Sequence, residues 1–279
     1  MTIKQARQKL WERLVQEGWM ADRAEAERWV LAGKVYVGET PAHSAGALVR
    51  ADAPLQVRGI DRRYIAKGGY KLEGALDAFG LDVRGRVALD AGASTGGFTD
   101  CLVQRGCARV YAVDVGYGQL HGTLRNHPAV VNLERTNISD PALRALDPAP
   151  TLGTVDLSYL SLRKAVPAFA EALGGRGDLI CLVKPLFEID DPQARRDGVI
   201  APEAYAPLLR ALCADLAAEG FPARGITHSP VTGNGGTLEF FLWVQPGMPA
   251  PDAAPPLAAQ LEAAVAAALA LVPYKKGRP

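Results

Sequence analysis

Apolar residues along this chain change their period near Lys67. Ahead of that point, Leu10, Leu14 and Val15 recur at helical spacing and predict a helix over 5–18. A second helix is predicted to start at Ala21-Asp22-Arg23, with Asp22 as its N-cap, and to stop at Gly33. Val35-Tyr36-Val37 and Leu55-Gln56-Val57 are strand-like pieces around a Pro/Gly/Ser-containing loop. The polar stretch Asp61-Arg62-Arg63-Tyr64-Ile65 reads as a linker. Beyond it, short apolar runs alternate with helical periodicity. Strands are expected near 87–92, 109–114, 129–134, 152–157, 178–184, 222–229 and 236–245, and helices near 70–80, 97–106, 119–126, 141–146, 162–174 and 203–219. This alternation predicts an α/β fold of Rossmann-like kind, a mostly parallel sheet with helices on both faces. The last two strands have no helix between them, so the final strand should be antiparallel. Residues 246–257 are Pro/Ala-rich and are followed by an alanine-rich helix over 258–271 and a basic tail, Tyr274-Lys275-Lys276-Gly277-Arg278-Pro279. The resulting division is 1–60, a linker 61–65, a body 66–245 and an extension 246–279.

Charge separates the front from the body. The chain of 279 residues has a formal net charge of +1, but residues 1–71 hold thirteen Lys/Arg against eight Asp/Glu, a net of +5 that leaves −4 for the rest. A basic front end on a slightly acidic body suits a polyanionic partner; an ordinary charged surface is the plainer alternative. Cys101, Cys107, Cys181 and Cys213 form no Cys-x-x-Cys pair and read as reduced core thiols of a cytoplasmic protein. His43, His121, His127 and His228 lack metal-ligand spacing, and no metal site is assigned. The N-terminus has no apolar signal core, and the longest apolar run, Ala263 to Val272, is too short to span a bilayer.

Candidate chemistry begins at Asp90-Ala91-Gly92-Ala93-Ser94-Thr95-Gly96-Gly97-Phe98. A strand, a glycine turn and a helix N-terminus form a nucleotide cradle, because backbone N–H groups and the helix dipole face the ligand. Asp114 ends the next strand, where an acid suits a ribose diol. The spacing Asp90-x-Gly92-x-x-x-Gly96 differs from the hydride-enzyme fingerprint and leans towards S-adenosylmethionine. A glycine-rich turn without a ligand is the alternative. Asp156 and Lys184 end the fourth and fifth strands, the edge at which open α/β sheets build their sites. Glu239 sits within a strongly apolar segment and wants a cationic partner, and Lys71 opens the helix before the first strand. Structural ion pairs would also account for these four. A ribose 2′-hydroxyl must lose its proton as it attacks a sulfonium methyl, and a lysine beside a second cation has a pKa lowered from about 10.4 and can take that proton.

These motifs, together with Asp114-Val115-Gly116-Tyr117-Gly118-Gln119-Leu120, Leu133-Glu134-Arg135-Thr136-Asn137, Asp156-Leu157-Ser158-Tyr159-Leu160-Ser161-Leu162 and Gly233-Asn234-Gly235, closely resemble the TlyA-type enzymes. That family carries both the haemolysin name and that of ribosomal RNA 2′-O-methyltransferases related to FtsJ. The resemblance implies an S-adenosylmethionine-dependent fold, a catalytic Lys–Asp–Lys–Glu set at Lys71, Asp156, Lys184 and Glu239, and cofactor contacts at Gly92, Phe98, Asp114 and Asn137. The glycine turn adds Asp90, Ser94, Gly96 and Gly97 to the candidate cofactor residues. Residues 1–60 resemble the alpha-L RNA-binding fold through Ala24-Glu25-Ala26-Glu27-Arg28-Trp29-Val30-Leu31-Ala32-Gly33-Lys34-Val35. With the charge asymmetry, this makes Arg7, Lys9, Arg23, Arg28, Lys34, Arg62, Arg63 and Lys67 candidate contacts to ribosomal RNA or ribosomal subunits. The target implied is cytidine in the RNA of one or both subunits; oligomeric state is left open. Departures from the family pattern are Leu186 in place of glutamine, Asp190-Asp191 in place of Gly-Lys, Tyr64 in place of tryptophan, and the Lys9-Leu10-Trp11 start. Competing readings are a non-catalytic ribosome-assembly factor, a membrane-active haemolysin and a small-molecule methyltransferase.

Overall fold

The computed structural model describes residues 7–20, 22–58, 63–158, 160–233, 236–248 and 257–271. The front unit runs β1 (Arg7–Lys9), α1 (Leu10–Gln16), α2 (Arg23–Leu31), β2 (Val35–Val37), β3 (Thr40–Pro41), β4 (Leu48–Arg50) and β5 (Leu55–Val57). Leu10, Leu14, Met20, Ala26, Val30, Val35, Leu55 and Val57 form a core of their own there. Asp22 caps α2 by accepting from Glu25 N at 2.9 Å. The continuous helix expected from residue 5 is not what forms. Arg7, Gln8 and Lys9 pair antiparallel with Arg50, Val49 and Leu48, and helix begins only at Leu10. Three polar residues give a helix no apolar face to bury, whereas the ladder satisfies their backbone groups.

The body opens with α3 (Lys67–Phe79), β6 (Val87–Ala91), α4 (Gly97–Gln104), β7 (Arg109–Asp114), α5 (Gly122–Arg125), β8 (Val130–Glu134) and β9 (Leu152–Val155). It continues with α6 (Leu162–Ala172), β10 (Asp178–Val183), α7 (Pro185–Glu188), α8 (Pro192–Asp197), α9 (Tyr205–Ala218), β11 (Ala223–His228), β12 (Phe240–Val244) and α10 (Leu257–Ala270). Seven strands form one sheet in the order β11-β12-β10-β9-β6-β7-β8. All pairs from β10 to β8 are parallel, and β12 runs antiparallel to both β10 and β11. Successive strand residues serve opposite faces. Leu179, Cys181 and Val183 pack on the side of α6 and α9, while Ile180 and Leu182 join Leu72, Leu76 and Leu102 beneath α3 and α4. The edge strand β11 is covered by α10, whose Leu261, Ala264, Val265 and Ala268 are buried and whose Gln260 accepts from Ile226 N at 3.2 Å.

Two details of α3 position the site. The helix starts at Lys67, three residues before its apolar periodicity does, and its first turn contains Gly68 and Gly69. A Cβ on Gly97 would stand 3.0 Å from Gly68 Cα and would push the two backbones apart by a few tenths of an ångström, so glycine lets the N-termini of α3 and α4 touch. The expected helices at 119–126 and 141–146 contract to α5 and a 3-10 turn at Pro141–Ala145, and the last strand is limited to β12. The expected linker is docked along the body: Tyr64 is fully buried, and Ile65 N donates to Asp100 Oδ2 at 2.7 Å. Asp61, Arg62, Ala21, Tyr159, Asn234, Gly235 and the basic tail lie outside the described residues.

Candidate active site

Strands β6 and β9 are neighbours, and the chain leaves them towards opposite edges of the sheet. A crevice at the carboxyl ends of two such strands is where open α/β sheets take ligands. A cavity of about 600 Å³ lies there. One side is the turn after β6, with Gly92, Ala93, Ser94, Thr95, Gly97 and Phe98. Gly92 has φ +82°, and a Cβ there would come 2.2 Å from the carbonyl oxygen of Asp156. The turn can therefore cross the end of β9 only as glycine. Ser94 also has positive φ, +48°, and its N–H donates to Asp114 Oδ2 at 2.8 Å. The other oxygen of Asp114 accepts from Gly116 N at 2.7 Å. Asp114 thus clamps the two turns that follow β6 and β7, and it adjoins the cavity wall through Ser94.

Lys71, Asp156, Lys184 and Glu239 all line this cavity, although they come from α3, the end of β9, the end of β10 and the start of β12. They form two ion pairs. Lys71 Nζ lies 2.5 Å from Glu239 Oε2, and both residues are buried. Lys184 Nζ lies 2.5 Å from Asp156 Oδ1 and donates to Ser158 Oγ at 3.2 Å. The Lys184 and Asp156 side chains retain 19% and 26% exposure, so this pair faces the cavity opening more than the first does. Glu188 ties the two loops together. At the end of α7, it accepts from Ser161 Oγ at 2.6 Å, Leu162 N at 2.7 Å and Arg163 Nη1 at 2.8 Å. The turn begun by Lys184 is thereby stapled to the loop begun by Asp156.

Other candidate residues lie elsewhere. Asp90 is fully buried, with its oxygens 2.6 Å from Thr99 Oγ1 and 2.8 Å from Thr154 Oγ1. Burial pushes its carboxyl up to about 6, against the pull of those two hydroxyls. It braces β6, β9 and α4 from inside and does not reach the cavity. Gly96 starts α4 with φ +101° and packs beneath Leu120 and Leu124. Asn137 is exposed, with Oδ1 accepting from Ser139 N and Oγ. Of the candidate RNA contacts, Arg7, Lys9, Arg28 and Lys34 are exposed on the front unit. Arg23 pairs with Glu27 at 2.7 Å and Arg63 with Glu73 at 2.5 Å. Lys67 lines the cavity, and Arg62 is outside the described residues. No group of three or more His, Cys, Asp or Glu among the described residues could hold a metal.

Sequence reasoning missed the rest of the cavity wall. Leu186, Phe187, Val199, Ile200 and Tyr205 make one side apolar, and Gln16 of α1 joins from the front unit. Nothing in the pattern around Gln16 distinguishes it from any polar residue at a helix end. Front unit and body also meet at Asp52. It lies 3.3 Å from Arg125, which reaches Glu134 at 3.2 Å, and the Asp52 carbonyl accepts from Gly122 N. Glu134 in turn accepts from Gln119 N and Leu120 N, and His121 N donates to Thr95 of the glycine turn.

Comparison with known proteins agrees with this architecture. Residues 64–245 match the FtsJ-like methyltransferase family. The chain is 40% identical over 234 residues, 83% of its length and 87% of the relative's, to the 16S/23S rRNA (cytidine-2′-O)-methyltransferase TlyA of Mycobacterium tuberculosis (strain ATCC 25618 / H37Rv). It is 33% identical over 227 residues, 80% of its length and 94% of the relative's, to Hemolysin A of Brachyspira hyodysenteriae. A solved hemolysin-named structure from Streptococcus thermophilus superimposes with a TM-score of 0.75 at 30% identity, covering 94% of this chain and 96% of that one. The chain belongs to the FtsJ-like methyltransferase family, among its TlyA-type members.

Proposed function

We propose that this protein is an S-adenosylmethionine-dependent methyltransferase that modifies ribose 2′-hydroxyls of ribosomal RNA, on cytidine in one or both subunits, and works in the cytoplasm where ribosomes are assembled. The observation that carries this reading is the gathering of two Lys–carboxylate pairs and the glycine turn in one cavity. The fit to the cofactor rests on that turn: a wall of backbone and small side chains, with Asp114 fixed beside it to meet a ribose diol. Gly92, Ser94, Gly97 and Phe98 would hold the cofactor. When bound, it supplies a methyl group on a cationic sulfur.

The chain's own residues supply positioning and proton handling. Lys184 Nζ, in its neutral amine form, takes the proton of the attacking 2′-hydroxyl and becomes the ammonium that Asp156 pairs with, while Ser158 helps hold that nitrogen at the mouth of the crevice. Lys71, anchored by Glu239, keeps a second cation in the same cavity. Much of the rate comes from holding hydroxyl and methyl in line. Residues 1–60 capture the RNA through their exposed cations, a shape- and phosphate-directed contact. Transfer of labelled methyl onto separated, undermethylated small and large subunits, followed by mapping of the modified ribose, tests the reading. Labelled subunits with the label on a base, or no label at all, would refute it.

A further inference from the structure

The front unit is more than an RNA tether. The turn after α1 lies directly on the helix that carries Lys71: a Cβ on Gly18 would come 2.8 Å from Lys67 Cγ, and Lys67 itself lines the cavity. Two residues before Gly18, Gln16 is the front unit's contribution to the wall that also contains Lys71, Asp156, Lys184 and Glu239. Its side chain is held from outside the cavity, with Gln8 Nε2 of β1 donating to Gln16 Oε1 at 2.7 Å. A carboxamide oriented in this way presents amino hydrogens as donors. The remaining surfaces of the cavity suit a nucleoside. Charged groups can meet the sugar hydroxyl, Leu186, Phe187, Val199 and Tyr205 offer apolar contact for the flat faces of a base, and Gln16 is a polar side chain that the front unit adds to this lining.

Building on the 2′-O-methyltransferase reading, we infer that Gln16 is a specificity-determining residue, hydrogen-bonding the base edge of the target nucleotide and presented by the RNA-capture unit itself. A pyrimidine places its ring carbonyl and N3 on that edge. At N3 cytosine offers an acceptor, where uracil offers a donor. An amide donor aimed there favours cytidine. Base selection then depends on the front unit being seated on α3, because a residue of each unit touches the same nucleotide.

The test compares methyl transfer by the full chain to an undermethylated ribosomal RNA carrying either cytidine or uridine at the mapped position. Gln16→Ala, an exposed change at a helix end, should lower kcat/KM on the cytidine RNA and narrow the cytidine-to-uridine ratio by roughly three- to tenfold, the scale of one hydrogen bond. S-adenosylmethionine affinity by calorimetry should not move. Gln8→Ala, which leaves Gln16 in place but releases its amide, should narrow the ratio in the same direction by less. An unchanged ratio in Gln16→Ala overturns the inference while leaving the methyltransferase reading intact. Failure of the unaltered protein to methylate either RNA overturns both.

Discussion

A lysine that serves as a base and a lysine that serves as a charge occupy space alike; they differ in whether the proton can leave. Lys184 is held by Asp156 at 2.5 Å and by Ser158 at 3.2 Å, in the more open of the two pairs. Lys184→Ala should depress methyl transfer by roughly 10²–10⁴-fold with cofactor binding retained. Lys184→Arg should do no better, because guanidinium keeps the charge and does not deprotonate at working pH. Near-normal turnover of the arginine variant across pH 6–9, with saturating cofactor, would leave Lys184 only an electrostatic role. Asp90 makes a contrasting case. Its folded-state value of about 6 stands above the unfolded value of 3.8, so between those limits the folded chain holds a proton that the unfolded chain has lost. Its contribution to stability is complete below pH 3.8, falls as pH rises towards 6, and stays low above it. Asp90→Asn removes this penalty while still bonding Thr99 and Thr154. Urea unfolding should show the variant gaining on the parent by on the order of 2 kcal/mol from pH 4 to pH 6. A constant difference would show that the folded carboxyl titrates as it does in the unfolded chain and is not raised.

At the scale of elements, residues 119–125 touch both units. They bind Asp52 through Gly122 and Arg125, and they bind the glycine turn through His121 N to Thr95. Docking of the front unit should therefore support the cofactor cradle. Asp52→Asn should weaken S-adenosylmethionine binding by roughly two- to fivefold, the worth of one partly exposed ion pair, as read by calorimetry on the full chain. An identical Kd would mean that the two sets of bonds are mechanically separate. The alternation of strand and helix was legible from period alone, including the antiparallel final strand. Helices α7 and α8 were not. Each is a short turn opened by a proline, Pro185 and Pro192, and neither is long enough to show a repeat. The start of α3 escaped for a related reason. Gly68 and Gly69 lower helix propensity, and their place in the helix is explained by what packs on them, Gly97 and Phe98 of α4 against Gly68 and the Tyr64 side chain against Gly69.

For the whole molecule, the basic front and acidic body assign different parts of binding to different surfaces. Arg7, Lys9, Arg28 and Lys34 are exposed on the front unit, and neutralising phosphates there releases counterions. Replacing all four by alanine should flatten the dependence of log Kd for ribosomal RNA on log salt by roughly 0.7–0.9 for each phosphate that is no longer neutralised. Cofactor affinity should be unaffected. An unchanged slope would move the RNA path to another face.

The sequence by itself determined the alternation of strands and helices through the body apart from α7 and α8, the glycine turn and the acids and lysines at strand ends, because each depends on local period, backbone freedom or position along one element. It also identified Lys71, Asp156, Lys184 and Glu239 as candidates. Which lysine pairs with which carboxylate, the withdrawal of Asp90 into the interior and the arrival of Gln16 at the cavity were decided only by the tertiary structure. Those outcomes depend on distances between residues far apart in the chain, set by how α3 and α4 close on each other and how the front unit seats on Lys67, and no local pattern encodes such distances.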